Sequence, residues 1–216
     1  MGNVSGEDEK AQRCGQFWKV VGALINLSNP LSIKDLSELL FMNESVVDAI
    51  LQRLHSVVSV DQEDERSPLQ LLHLSFRDFL LNEERCSLGD FRIHQKNAHQ
   101  SHLLNCLDVM STTLKQDICS FADPSICASD VKISRLEQSL PHHVQYACVY
   151  WVEHLRGAES QPLDDSEVFQ FLTQHLLHWL EPLSLMGQFS QDVVQVLALT
   201  RYTDGLPVSF RAIIRF

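Results

Sequence analysis

The run Leu69-Gln70-Leu71-Leu72-His73-Leu74-Ser75-Phe76-Arg77-Asp78-Phe79-Leu80-Leu81 joins a strand ending to a helix start, and this junction restricts the folds open to the chain. Leu69 to Leu74 is short and leucine-rich, as a buried strand would be, and Ser75 with Asp78 three places on has the pattern of a capping box. Leu74 before that cap and Phe79 at the fourth helical position match a hydrophobic staple, so the pattern predicts a helix from Ser75 to about Asn82. His73 then lies beside a helix N-terminus. Unpaired N–H groups and the positive end of the helix dipole favour an anion there and disfavour an imidazolium, which makes His73 a candidate phosphate contact. The simpler reading, favoured by local physics alone, is a structural histidine bonded to a backbone carbonyl.

Upstream, Phe17, Val20, Val21, Leu24 and Ile25 recur at helical spacing, and Asn29-Pro30 should end that helix because the residue before proline is pushed out of the helical region. Ser32 is the expected N-cap of a second helix running to Leu40, with Asp35 three residues on and Ile33, Leu36, Leu39 and Leu40 as its buried stripe. Asn43 should cap a third, whose apolar face is Val46, Val47, Ile50, Leu51 and Leu54. Only Phe41 and Met42 separate the two, a helix-turn-helix spacing. A strand-like run from His55 to Val60, a charged turn from Asp61 to Pro68 and the returning strand at Leu69 complete a wing. The expected fold class is mainly α: a winged helix with a two-stranded β wing, followed by an α-helical domain. Its expected organisation is a disordered leader over 1–13, the winged helix over 14–83, a connection over 83–90, the helical domain over 90–200 and an unassigned tail over 201–216.

A winged helix invites a test for DNA binding. The third helix carries Glu44 and Asp48 against Arg53, and the wing carries Asp61, Glu63, Asp64 and Glu65 against Arg66. A duplex would meet negative charge at both elements, and the formal net charge of -11 repeats the argument for the whole chain. Packing against protein is the expectation, with no nucleic acid as partner.

In the second half, the sequence predicts a long helix from Phe91 to Leu114 with Ala98, Leu103, Cys106, Leu107, Met110 and Leu114 on one side. His94, His99 and His102 lie along it, and no further ligand completes a metal set, so they read as solvated or capping side chains. Asp130 to Leu140 predicts a short helix. Pro141 suits the first turn of the next, whose face is Val144, Ala147, Cys148, Trp151, Val152 and Leu155 and whose end is Gly157. Asp164 with Glu167 predicts the cap of another, burying Val168, Phe171, Leu172, Leu176, Trp179 and Leu180 until Pro182 stops it. His142 and His143 sit at a helix start, and His175 and His178 repeat the three-residue spacing without partners in sequence. Ser190 to Leu199 closes the helical pattern, around a core expected at Trp151 and Trp179.

No phosphate loop, dinucleotide fingerprint, zinc-protease motif or nucleophile elbow occurs, and the six cysteines form no CxxC pair, so free thiols, no metal and no catalytic residues are expected. No apolar run approaches the roughly 20 residues of a membrane helix and the N-terminus is not signal-like, which predicts a cytoplasmic protein without a membrane partner.

From about Phe17 to Leu199 the chain resembles the region that follows the nucleotide-binding domain in fungal NACHT proteins, STAND-class NTPases of the heterokaryon-incompatibility type. The likeness rests on Leu54-His55-Ser56-Val57-Val58-Ser59-Val60, on Leu71 to Leu80, and on Asp117-Ile118-Cys119. It rests further on Leu140-Pro141-His142-His143-Val144-Gln145-Tyr146-Ala147-Cys148-Val149-Tyr150-Trp151-Val152 and His175-Leu176-Leu177-His178-Trp179-Leu180-Glu181. The resemblance implies a winged-helix domain followed by a helical domain. It also implies that His73, in the His-x-Ser-Phe motif, touches the phosphates of ADP and holds a closed, inactive state. The phosphate loop that would bind the nucleotide is absent from this sequence, so ADP or ATP would be met only through a NACHT domain in trans, with a full-length NACHT protein as partner. The expected function is a non-enzymatic regulatory module of such a signalling receptor. The alternatives are a truncated gene product without autonomous role, and an acidic winged-helix protein of transcriptional assemblies.

Overall fold

The computed structural model describes residues 4–60, 64, 66–82, 84, 86, 92–121, 132–159, 166–187 and 199, and the structural statements below concern those. Ten elements follow one another: α1 (Val4–Asn26), α2 (Ile33–Leu39), α3 (Glu44–Gln52), β1 (Val58–Ser59), β2 (Gln70–Leu71), α4 (Leu74–Leu81), α5 (Gln95–Thr113), α6 (Ile133–Ser139), α7 (His142–Ala158) and α8 (Glu167–Leu185). The chain is mainly helical, and the antiparallel β1–β2 hairpin between α3 and α4 makes its first part a winged-helix-like arrangement. Contacts divide it into two units, Met1–His102 and Leu103–Phe216, a boundary that falls inside α5. Much of the connection expected over 83–90, and all of the tail over 201–216, lies outside the described residues.

In the first unit α1 is buried along Val20, Val21, Ala23, Leu24 and Ile25, whose packing drives the helix. It starts at Val4, so the expected disordered leader over 1–13 is corrected: residues 8–13 are solvated as expected, yet helical. Glu, Lys, Ala, Gln and Arg all favour a helix once packing further along has nucleated one, and Glu9 accepts a hydrogen bond from Arg13 at 2.9 Å one turn away. Ser32 caps α2 as its spacing requires. Its Oγ accepts from the Asp35 N–H at 3.1 Å and donates to the Asp35 carboxylate at 2.6 Å. Asn43 caps α3 through the Ser45 N–H at 2.9 Å. Between them α2 ends in a Schellman turn: the Phe41 N–H reaches the Glu38 carbonyl and the Met42 N–H the Ser37 carbonyl. Phe41 takes the left-handed position there, at φ 52°.

The wing strands are shorter than the apolar runs suggest. Val58 pairs with Leu71 and Ser59 with Gln70, the Leu72 N–H adds a bond to the Val57 carbonyl at 2.9 Å, and the Leu69 N–H reaches the Leu31 carbonyl at 2.8 Å. Residues 61–63 and 65 of the turn are outside the described set. Val21, Ile25, Leu80 and Ile93 form a core against which Phe17, Ile50, Leu54, Leu71, Phe76 and Ala98 pack. The start of α5 thus belongs with the winged helix.

In the second unit Trp151 of α7 and Trp179 of α8 are fully buried, as their spacing predicts. Their rings meet edge to face at 5.2 Å, and the Trp179 Nε1–H donates to the Cys148 carbonyl at 2.8 Å. Four helix boundaries differ from expectation. The N-cap of α8 is Ser166, accepting from the Phe169 N–H at 3.3 Å, rather than Asp164. Pro182 lies inside α8, which runs on to Leu185, so it does not stop the helix. The missing Pro182 N–H forfeits one ladder bond, while burial of Pro182 and Leu183 holds the last turn in place. α7 passes Gly157 and ends with Glu159 in the left-handed region, and α5 starts at Gln95, with Phe91 outside the described residues. Leu180 is exposed rather than buried. Of the helix expected over Ser190–Leu199 only Leu199 is described. Among the described residues no helix is long and apolar enough to cross a membrane.

Candidate functional site

His73 is the N-cap of α4. Its backbone is extended, at φ -147° and ψ 125°, and its Nδ1 accepts a hydrogen bond from the Ser75 N–H at 3.2 Å. This corrects the expected capping box: Ser75 is inside the helix, and the side chain that satisfies an orphan N–H is the histidine two residues earlier. The staple fails with it, since Leu74 is 71% exposed and Phe79 40%. The geometry has a chemical consequence. With Nδ1 acting as acceptor, the neutral ring carries its proton on Nε2, so the exposed side chain keeps one N–H donor to offer.

Exposed apolar side chains are the neighbours of His73 in the chain. Leu72, 57% exposed, precedes His73, and Leu74 and Phe79 lie on the following helix. α3 and the wing enclose a groove of about 1100 Å³ lined by Glu44, Asp48 and Asp64, with His55 and Leu72 beside them.

The remaining histidines separate into different roles. His102, expected to be solvated, is buried. Burial, reinforced by His99, pulls its pKa down to about 4 against a hydrogen bond with the Gly22 backbone that raises it. His175 stacks on Phe171, with centroids 5.7 Å apart, and its Nδ1 lies 3.4 Å from Nδ1 of His178. Burial first, then His178, lowers the His175 pKa. His142 opens α7, in contact with solvent. His154 escaped the sequence reading altogether: it is fully buried on α7 and its Nε2 lies 2.9 Å from the Tyr146 hydroxyl. Two polar residues eight apart on one helix give no periodic signal until the fold buries both. No group of three or more His, Cys, Asp or Glu suited to a metal occurs among the described residues. Cys14, Cys106 and Cys119 are free thiols, and burial raises the pKa of Cys106, which disfavours the nucleophilic thiolate.

The chain is similar to the vegetative incompatibility protein HET-E-1 of Podospora anserina, with 27% identity over 208 residues that take in 87% of this chain. It spans about 15% of that relative's length. No family model and no solved structure matches.

Two of the stretches that carry the sequence resemblance meet in the second unit. The Glu181 carboxylate accepts from the Ile118 N–H at 3.0 Å and the Asp117 N–H at 3.1 Å. Asp117, itself left-handed at φ 53°, accepts from the Phe121 N–H at 2.7 Å. Arg135 then donates to the Cys119 and Ser120 carbonyls and lies 4.7 Å over the Phe121 ring. Both ends of the turn at 117–121 are therefore tied by charged side chains from α8 and α6. These residues hold the fold, whereas His73 presents its ring to solvent.

Proposed function

We propose that this chain is a non-enzymatic regulatory and interaction module of a NACHT-type signalling receptor, acting in the cytoplasm with a nucleotide-binding domain as its partner. The observation that carries the reading is the hydrogen bond from Ser75 N–H to His73 Nδ1, which fixes Nε2–H as the donor of an exposed ring at the start of α4. That donor suits a phosphate oxygen of bound ADP, and the positive end of α4 favours the same anion. The apolar side chains of Leu72 and Leu74 flank it and suit a protein surface around the phosphate. Similarity to an incompatibility protein and the winged-helix-like arrangement support the assignment of His73 as phosphate sensor. The acidic groove between α3 and the wing argues against a duplex as the partner.

A binding titration tests this. The intact chain is mixed with a separately produced nucleotide-binding domain of a NACHT-type incompatibility receptor, with ADP or without nucleotide. The expected result is ADP-dependent association weakened about tenfold by His73→Ala, the loss of one charge-assisted hydrogen bond. Association indifferent to both ADP and His73, or none with a folded chain, rejects the proposal.

A further inference from the structure

Within the first unit, a cavity of about 360 Å³ opens between α1 and the segment from Arg92 to His102. It owes its existence to small residues. Gly15, Gly22 and Ala23 occupy α1 positions seven and eight apart, on the same helical face as Trp18 and Lys19, and Ala98 and Ser101 face them from α5. A Cβ at Gly22 would stand 3.6 Å from the Ala98 Cβ, an ordinary contact, while a Cβ at Gly15 would meet nothing within 4 Å. The helices are therefore close at Gly22 and leave a gap beside Gly15.

The lining has a definite chemistry. Ala23, Leu40 and Ile93 are buried apolar side chains, and Trp18, a residue 40% exposed, also lines the cavity. Lys19, exposed, and Arg92, half-buried, also line it, and among the described residues no acidic side chain does. That sign is opposite to the whole chain, whose formal net charge is -11. A volume at the lower end of ligand pockets, apolar walls and a few convergent polar groups are the features of a small-molecule site. An aromatic ring open to solvent adds a stacking surface.

We propose that this cavity binds a small amphipathic anion, a flat one- or two-ring compound bearing a single carboxylate or similar acid group. The ring enters the gap beside Gly15 with the Trp18 indole against it, and the acid group meets Lys19 and Arg92. The site lies apart from His73 and does not depend on the role proposed for it.

The test uses the intact chain, 2-naphthoate as probe and its neutral isostere 2-naphthalenemethanol as control, read by the tryptophan indole N–H signals in NMR. Trp151 and Trp179 are buried in the second unit and serve as internal references. Saturable shifts at Trp18 with 2-naphthoate are expected, with the neutral isostere and the Lys19→Glu variant each about tenfold weaker. Gly15→Leu places a side chain in open space on a helix, where leucine is favoured over glycine, so it should keep its melting temperature and lose the probe. No saturation at Trp18 overturns the proposal, as does equal binding of the neutral isostere or undiminished binding by a folded Gly15→Leu chain.

Discussion

In the first unit helix ends are satisfied by near neighbours: Ser32 serves Asp35, Asn43 serves Ser45 and His73 serves Ser75. In the second, Ser166 caps α8 through the Phe169 N–H in the same local way, but further side-chain bonds cross the chain. Glu181 reaches back 64 and 63 positions to Asp117 and Ile118, Trp179 reaches 31 to Cys148, and Arg135 reaches 16 to Cys119. Local caps tell each helix where to begin but leave α4 with an exposed, chemically directed tip. Long-range ties instead consume their donors and acceptors internally. The difference teaches why His73 keeps a donor facing solvent while Glu181, Trp179 and Arg135 commit their hydrogen-bonding groups to the fold.

The largest expected effect breaks the long-range side of this contrast. Trp151→Ala or Trp179→Ala removes one half of a fully buried edge-to-face pair and should destabilise the second unit by about 3–5 kcal/mol. The Trp179 change also removes the indole hydrogen bond to the Cys148 carbonyl, so it should be the more severe. Urea unfolding followed by far-UV circular dichroism measures both, and equal stability in all three chains would mean the pair does not organise that core.

His102 tests whether the start of α5 is sealed into the first unit. Its ring takes up a proton near the ordinary histidine value of 6.5 in the unfolded chain but only near 4 when folded. Between those values the unfolded chain binds more protons, so stability should fall as the pH drops through that window, by up to about 3 kcal/mol. His102→Gln should flatten the acid limb between pH 6.5 and 4. An unchanged slope would show that water reaches the ring.

How much of this was legible follows from the same division. Ser32 with Asp35 and Asn43 before its apolar stripe state their caps in adjacent residues, and both were readable. The wing was readable because β1 and β2 are bounded by a charged turn. At α4 the sequence misled by two positions, since Ser75 and Asp78 imitate a capping box and histidine is not a favoured N-cap residue. His73 was still singled out, but the bond that fixes its tautomer was not. The helical first residues were missed because exposed polar segments have no periodicity, and their order comes from a helix nucleated elsewhere. Glu181 and His154 gave no local signal: what makes them matter is a partner supplied by the fold.

Glu181→Ala leaves the Asp117 and Ile118 N–H groups without their carboxylate and should cost about 2 kcal/mol, in keeping with a part-buried, charge-assisted pair of bonds. Thermal unfolding reads the loss. If the substitution is silent, the turn at 117–121 is held by Arg135 and by the Asp117 carboxylate alone.

The smallest effects come from the two ends of α2 and should have opposite signs. Ser32→Ala removes the acceptor for the Asp35 N–H and should cost about 1 kcal/mol. Phe41→Gly acts at the other end, where a non-glycine residue sits at φ 52° with its side chain 59% exposed. A left-handed conformation costs an L-residue roughly 1–2 kcal/mol, partly offset here because glycine loses more chain entropy on folding, so the net gain should be about 0.5–1 kcal/mol. Measured in one background by urea unfolding, the double variant should return close to the parent, because the two sites share no partner. A Phe41→Gly chain less stable than the parent would mean that Phe41, despite its exposure, contributes packing that the Schellman turn needs.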